Sequence, residues 1–156
     1  MIYEITRFDY SFEVEQRRPV REAIRKLEQE ILECVPAHMP VEHLFAKGLY
    51  ARSVSIPKNC VLTGAIHKHE HINILAKGDI TVVTDDGPLR IQAPYVMVSQ
   101  PGTKRAGFAH EDCVWVTVHA CDETEIEKAE AALVTNDYDE WLRIEQQCHS
   151  QLPAQS

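Results

Sequence analysis

A series of short strand-like runs separated by turn residues constrains the fold of this chain more than any other feature. Runs rich in β-branched and aromatic residues are broken by Pro, Gly, Asn and Asp; they span Leu49–Ile56, Cys60–Thr63, His71–Leu75, Asp79–Thr84, Leu89–Gln92, Tyr95–Ser99 and Cys113–His119. Strands this short and this close together are typical of a β-sandwich or barrel rather than of strand–helix–strand units. The pattern therefore predicts a mainly β domain over residues 43–120.

Helical patterns flank this β segment on both sides. Residues 1–42 combine an irregular or extended arm (1–17) with an amphipathic helix, in which Pro19 suits the first turn. The apolar stripe of this helix recurs at helical spacing; it consists of Val20, Ile24, Leu27 and Ile31. Residues 121–149 return to a helical pattern, and we expect the last residues, 150–156, to be a disordered tail.

Composition and charge exclude several classes of function. The chain has 156 residues, of which 44% are hydrophobic, so it is long enough for one domain with its own core. Its net charge of -8 disfavours a nucleic-acid backbone or an anionic membrane as its main partner. The sequence contains no long apolar run and no signal-peptide pattern, and its five cysteines form no CxxC pair. These features predict a cytoplasmic protein with reduced cysteines.

Residues 67–71 read HKHEH and are the strongest indication of a functional site. If this run is one strand, His67, His69 and His71 project from the same face, and neutral imidazole is the commonest metal ligand. Same-face residues lie roughly 6.5–7 Å apart along a strand, so two of them could converge on one ion. The remaining ligand would then come from another strand, with His110 and His119 as candidates.

The same histidines also permit an interpretation without a metal. They would line a polar barrel mouth, bonding to one another, to Glu70 and to water. The register of the strand decides which imidazoles face inward, and the sequence leaves that register open.

A basic pair follows the Pro101–Gly102 turn. If Arg105 points inward, its planar guanidinium can bind a carboxylate or phosphate through two parallel hydrogen bonds. Alternatively, Lys104 and Arg105 form an exposed turn pair matched by Glu111 and Asp112, an interpretation that suits Lys104 better. The predicted ligand-binding residues are therefore Arg105, Lys104, Asn73 and His119.

These motifs resemble those of the cupins, although the usual ligand set is altered. Gly78 fits the glycine turn that closes the first cupin motif, which places His71 at the position of the usual carboxylate and His67 at that of the second histidine. In a shifted register, His67 and His69 form the His-x-His pair. In the second motif, Arg105 stands in place of the usual histidine, and His110 lies five residues further on.

The cupin resemblance implies a fold and a cofactor. The fold would be a double-stranded β-helix, the cupin jelly-roll barrel, with an N-terminal helix and C-terminal helices. The cofactor would be a divalent transition metal such as zinc, iron, nickel or manganese. Its candidate ligands are His67, His69, His71 and His110. Cupins host oxygenation, isomerisation and hydrolysis, so the resemblance selects no reaction.

Residues 41–133 are also similar to small cupin-like proteins encoded by tailed bacteriophages and prophages. The segments that prompt this are HINILAKGDITV, PGTKRAGFAHEDCVWVTVHA and DETEIEKAEAAL. This resemblance implies expression in a bacterial host cytoplasm and carries no established activity.

The sequence thus supports several functional hypotheses. The first is a protein that binds a small molecule or anion, a divalent metal, or both, through His67, His71 and Arg105. The second is a non-catalytic phage accessory protein that binds a host protein or sequesters a nucleotide signal. A metal-dependent oxygenase or isomerase and a structural part of the phage particle are further alternatives. We also expect a homodimer, with the N-terminal arm and helix at its interface.

Overall fold

The computed structural model describes residues 10–84 and 86–150, which form three helices and eleven strands. The helices are α1 (Tyr10–Ile31), α2 (Ile126–Leu133) and α3 (Tyr138–Ser150). The strands are β1 (Val41–Ala46), β2 (Leu49–Ile56), β3 (Val61–Thr63), β4 (Ile66–His67), β5 (His71–Lys77), β6 (Asp79–Thr84), β7 (Gly87–Gln92), β8 (Tyr95–Ser99), β9 (Ala106–Ala109), β10 (Cys113–Ala120) and β11 (Val134–Thr135). No helix within these residues is long and apolar enough to cross a membrane.

Two antiparallel sheets form the barrel. One has the strand order β1-β2-β10-β5-β8 and the other β3-β9-β6-β7, while β11 and β4 form a separate short pair. The four-and-four division into β2-β10-β5-β8 and β3-β9-β6-β7 is the arrangement of two interlocking Greek keys, which defines a jelly roll. The prediction of a mainly β, double-stranded β-helix with terminal helices is therefore confirmed.

The apolar core fills one end of the space between the sheets. Ile56, Leu75 and Cys113 from the larger sheet pack against a set from the smaller sheet that comprises Ile80, Val82, Ile91 and Ala109. The inward-facing positions of β2, β5 and β10 continue at every second residue to the other end of the barrel. At that end, these positions hold mostly polar side chains. This division leaves a polar interior region next to an apolar base.

The first helix begins earlier than predicted. It starts at Tyr10, so Pro19 lies inside the helix instead of in its first turn. Residues 13–18 read EVEQRR and consist mostly of strong helix formers, which explains why the helix extends through a proline that removes one backbone donor. The arm predicted over residues 1–17 is therefore helical from Tyr10 onward. Residues 1–9 and 151–156 lie outside the described residues.

Two buried cations tie α1 to the rest of the molecule. The Arg21 guanidinium pairs with Glu145 on α3 at 2.7 Å and also donates to the carbonyl of Gly102 at 3.4 Å. The Lys104 ammonium pairs with Glu28 on α1 at 2.7 Å. Because both cations are buried, loss of either carboxylate would leave a charge without its partner in a low-dielectric site. The two pairs therefore fix the C-terminal half of α1 against the barrel.

Candidate metal and ligand site

Three histidines from different strands converge inside the barrel. His67 ends β4, His71 begins β5, and His119 lies near the end of β10. One ring nitrogen from each of these residues lies within 4.8 Å of the others. His71 and His119 are buried and His67 is half-buried, so the cluster faces the interior and not the solvent.

The prediction that His69 shares this face is wrong. Residues 68–70 lie outside both strands, with a bend at 68–69 between β4 and β5, so the strand alternation on which the prediction depended is interrupted. The His69 side chain is exposed, and only its backbone carbonyl takes part, accepting a hydrogen bond from Nδ1 of His71 at 3.0 Å. His110 also lies outside the cluster, because its Nε2 bonds Oγ1 of Thr81 on the smaller sheet at 2.8 Å.

The hydrogen bonds of the cluster define part of its protonation. A carbonyl oxygen can only accept, so Nδ1 of His71 must carry the proton and its Nε2 keeps a free lone pair. Nδ1 of His67 and Nε2 of His119 lie 3.2 Å apart, and one of them donates to the other. Nδ1 of His119 is buried and has no hydrogen-bond partner among the described residues.

Burial keeps all three imidazoles neutral. Desolvation, followed by the repulsion that a protonated His67 would meet from protonated His71 and His119, lowers the pKa of His67 to about 2. Desolvation, followed by the charge of His71, lowers the pKa of His119 to about 4. The pKa of His71 is lowered mainly by burial and is partly restored by its bond to the His69 carbonyl. Neutral imidazole is the form that binds a metal, and at pH 7 these rings carry no second proton. The proton between Nδ1 of His67 and Nε2 of His119 would have to move to the other nitrogen of its ring before both atoms could bind an ion.

The donor set fits a transition-metal ion in its chemistry, and the His67–His119 pair also fits in its spacing. Two nitrogens bound at about 2.0–2.1 Å to one tetrahedral ion lie about 3.3–3.4 Å apart, close to the 3.2 Å between His67 and His119. The bond from His71 to a carbonyl is the type of outer contact that orients metal-bound histidines.

Ring orientation is the one respect in which the cluster must adjust. The rings of His67 and His71 are stacked, with centroids 3.9 Å apart and planes inclined by 20°. An ion lies in the plane of each imidazole that binds it, so one of these rings would have to turn about its Cβ–Cγ bond. That torsion is broad in histidine, so the rotation is allowed, although it would move a ring nitrogen of His67 or His71 out of its present hydrogen bond.

The cluster lines a cavity of about 810 Å³. This volume is within the range of about 300–1,000 Å³ that is typical of small-molecule sites. Its base is apolar, with Ile56, Ile80 and Val82, and residues of α1 and α2 line its other end. The interior therefore has room for a ligand beside the imidazoles.

A hydrogen-bonded chain extends from the cluster side of the cavity. Nε1 of Trp115 donates to Oδ1 of Asn73 at 3.2 Å, and Nδ2 of Asn73 donates to Oγ of Ser99 at 2.8 Å. The same hydroxyl accepts a bond from Nη2 of Arg105 at 2.9 Å. Because Arg105 and Asn73 both line the cavity, the structure brings two predicted ligand-binding residues together with the histidines.

Lys104 occupies a different position from its neighbour. The described residues that line the cavity do not include Lys104, His69 or His110. The Lys104 ammonium is buried, pairs with Glu28 and lies 5.4 Å from the centre of the Tyr138 ring. The alternative of an exposed turn pair is therefore wrong for Lys104, because the lysine holds α1 in place.

Sequence reasoning missed two polar residues of the site, Arg52 on the cavity wall and Ser99 next to that wall. Arg52 lines the cavity from β2 and pairs with Glu130 of α2 at 3.7 Å. Ser99 connects Asn73 to Arg105. The sequence did contain the information needed to find Arg52, because Arg52 lies at every-second-residue spacing with Tyr50, Val54 and Ile56. These residues share the inward face of a strand that was correctly predicted. Ser99 carried no such signal, because its role depends on a partner 26 residues away.

The fold and the site together define a jelly-roll barrel with three interior histidines facing one cavity. No family model and no curated protein matches the sequence.

Solved structures of cupins are among those to which the chain is similar. A cupin superfamily protein from Desulfitobacterium hafniense has 9% identity and a TM-score of 0.48, covering 60% of this chain and 86% of that one. A putative ethanolamine utilization protein from Salmonella typhimurium has 13% identity and a TM-score of 0.48, covering 56% and 73%. An RmlC-like cupin from Shewanella frigidimarina has 16% identity and a TM-score of 0.46, covering 55% and 78%. Similarity at this level carries no activity over to this chain.

Proposed function

We propose that this protein binds a small anionic molecule in its barrel beside a divalent transition metal held by His67, His71 and His119. The single observation that supports this most strongly is the convergence of three interior ring nitrogens within 4.8 Å on one wall of a ligand-sized cavity. Zinc, iron, nickel and manganese are the candidate metals, since a nitrogen-rich donor set favours a transition metal over magnesium or calcium.

The number of protein ligands supports binding of a further molecule. A structural zinc site has four protein ligands, whereas a site with three keeps one position open for water or substrate. The Arg105 guanidinium lines the same cavity, where it supplies a fixed positive charge and a planar donor group for a carboxylate or phosphate. Metal-dependent oxygenation or isomerisation would use the same open position, and each remains a separate hypothesis.

A second candidate function needs no metal. The stacked rings of His67 and His71 and the hydrogen bond between His67 and His119 suit a cluster without an ion. Arg52 and Arg105 would then bind an anionic ligand such as a nucleotide, and the protein would sequester it without converting it. The phage origin, the host cytoplasm and a host protein partner stay predictions from the sequence.

Elemental analysis of tag-free protein purified without chelator tests the metal. The variants are His71→Ala and His119→Ala, and the matched control is His69→Ala, which removes an exposed imidazole two residues from the cluster. We expect close to one ion per chain in the wild type and in the control, and loss of the ion from both cluster variants. Metal-free wild-type protein that also fails to take up zinc, iron, nickel or manganese on titration would overturn the metal assignment.

Thermal unfolding with and without added zinc gives a second readout. A metal present at 100 times its dissociation constant stabilises the native state by about 2.7 kcal/mol. For a domain of this length, that corresponds to an increase in Tm of roughly 5–10 °C. The increase should be absent in His71→Ala and retained in His69→Ala.

A further inference from the structure

The wall of the cavity changes from polar to apolar along the barrel. Cross-strand pairing aligns the inward-facing residues of the larger sheet in levels, each roughly 6.5–7 Å from the next along the strands. From the histidine end inward, the levels are His119 with Tyr50, Thr117 with Arg52 and Asn73, Trp115 with Val54, and finally Ile56. The first two levels are polar, and the last two are apolar except for the indole nitrogen of Trp115.

The deep end of the cavity, below the second level, is lined by apolar side chains from both sheets. They are Val54, Ile56, Leu62, Ile80 and Val82. The one donor of Trp115, its Nε1, already bonds Oδ1 of Asn73 at 3.2 Å. A polar group of a ligand would lose its hydrogen bonds to water here and would find no partner among these five side chains. The part of a ligand that reaches the deep end must therefore be apolar.

Two arginines place positive charge at the second level. Arg52 lies at this level on β2 and lines the cavity. Arg105 also lines the cavity and donates to Oγ of Ser99 at 2.9 Å, the same hydroxyl that Asn73 of the second level contacts. A guanidinium can bind a carboxylate through two parallel hydrogen bonds. A carboxylate bound at this level would have the imidazoles on one side and the deep end on the other.

The opposite end of the cavity opens to solvent beside α1 and α2. Leu32 lines this end and is 83% exposed. Glu28 and Glu130 line it too, and the Glu130 carboxylate lies 3.7 Å from the Arg52 guanidinium. Carboxylates repel an anion, so the opening disfavours a resting position for the charged group of a ligand. A ligand that enters with its apolar part first would bring its charge to the arginines once that part fills the deep end.

We propose that the ligand of this cavity is an amphipathic monocarboxylate, with its carboxylate at the level of Arg52 and Arg105 and its hydrocarbon tail in the deep end. This inference rests on the proposed function, because it assigns a chemical class to the anion proposed there. The second and fourth levels are roughly 13 Å apart along the strand, and an extended chain of eight carbons is roughly 9 Å long. A nucleotide is less suitable, since either its base or its ribose would place polar groups in the deep end.

Isothermal titration calorimetry of the full chain with octanoate, before and after addition of zinc, tests this assignment. Each buried methylene should strengthen binding about fourfold, so octanoate should bind about 15-fold more tightly than hexanoate. Octanedioate has the same chain length but would bury a second carboxylate in the deep end, so it should bind about 100-fold more weakly than octanoate. Octan-1-ol has the tail without the charge and should bind about tenfold more weakly.

Variants at the two ends locate the ligand. Arg105→Gln should weaken octanoate binding about tenfold and leave the metal content unchanged. Val54→Phe fills part of the deep end and should abolish the preference for octanoate over hexanoate. The matched control is Val61→Phe on β3, at a valine that is 42% exposed, and it should keep the preference. If Val54→Phe does not fold, Val54→Leu adds one methylene and should lower the preference from about 15-fold to about fourfold.

The outcomes separate this inference from the proposed function. Equal affinities for hexanoate, octanoate and octanedioate would overturn the inference, as would tighter binding of AMP than of octanoate, while anion binding itself would stand. A protein that holds one metal ion per chain and binds no octanoate would overturn the inference and leave the metal assignment intact. Octanoate binding with the expected preference by protein that takes up no metal would support the inference and overturn the metal assignment.

Discussion

Replacing Gly78 by alanine should destabilise the protein far more than the same change at Gly87. Both glycines adopt positive φ angles, +95° at Gly78 and +106° at Gly87, so both substitutions force a side chain into a backbone conformation that L-residues avoid. They differ in their surroundings. A Cβ at Gly78 would lie 2.5 Å from the Asp112 carbonyl oxygen and 2.6 Å from the Cys113 sulfur, whereas one at Gly87 would meet nothing within 4 Å.

This difference sets the expected magnitudes. The positive φ alone should destabilise each variant by about 1–2 kcal/mol. At Gly78 the new methyl also displaces backbone where β10 begins and a buried sulfur, and overpacking of this kind adds about 1–3 kcal/mol. We therefore expect about 1–2 kcal/mol for Gly87→Ala and about 2–5 kcal/mol for Gly78→Ala, a large part of the roughly 5–15 kcal/mol that stabilises a typical domain.

Urea denaturation followed by tryptophan fluorescence and circular dichroism measures both values. Gly87→Ala is the control for the backbone contribution, so the difference between the two variants reports the steric contribution of Asp112 and Cys113. Equal denaturant slopes in the two variants would show that the unfolded states are comparable. Free energies of unfolding within about 0.5 kcal/mol of each other would refute the reasoning, because they would mean that the neighbours of Gly78 move at no cost.

Three further predictions concern buried groups. Hydrogen bonds from Arg90 hold the pKa of Asp79 at about 2, below the ordinary 3.8. The stabilisation from this carboxylate is therefore present above pH 4 and is lost as the carboxylate is protonated. Asp79→Asn should destabilise the protein at pH 7, and its difference from wild type in urea denaturation should disappear between pH 4 and pH 2. Glu28→Gln should cost about 2–4 kcal/mol by leaving the buried Lys104 ammonium without its carboxylate, and a double-mutant cycle with Lys104→Met should return part of that loss. Strictly additive effects would contradict the pairing. Leu75→Ala, at a side chain only 1% exposed, should cost about 2–5 kcal/mol by thermal unfolding, and a loss below 1 kcal/mol would show that the core collapses around it.

The three strands that the sequence predicted exactly each have a breaker on both sides. Leu49–Ile56 lies between Gly48 and Pro57, Asp79–Thr84 between Gly78 and Gly87, and Tyr95–Ser99 between Pro94 and Pro101. Ala106–Ala109 was missed because AGFA contains no β-branched residue. It is a strand because the strands on both sides, β3 and β6, supply its hydrogen bonds, and because Gly107 lets Ile80 and Leu62 approach closely. Tertiary pairing determined this element, and local propensity could not indicate it.

The site shows the same division between local and long-range information. The sequence showed that histidines are the candidate metal ligands. Alternation along β10 also correctly placed His119 with Trp115 and Thr117 on the inward face. The orientation of His69 was not evident, because β4 ends at His67, where it pairs with Val134. That partner is far away in sequence and comes from a segment predicted to be helical. A pattern within five residues therefore could not reveal the bend that separates His69 from the cluster.

The strand order also dictates when the histidine cluster can form during folding. The strands central to the two sheets are the last two of the barrel in sequence, since β9 inserts between β3 and β6 and β10 inserts between β2 and β5. Until residues 106–120 have left the ribosome, β2 and β5 are unpaired along these edges, and the nascent chain has no route to a closed barrel. Such long-range closure is slow, on the order of milliseconds to seconds. His119 arrives with the closing strand, so the third imidazole joins the other two in the same step that seals the barrel.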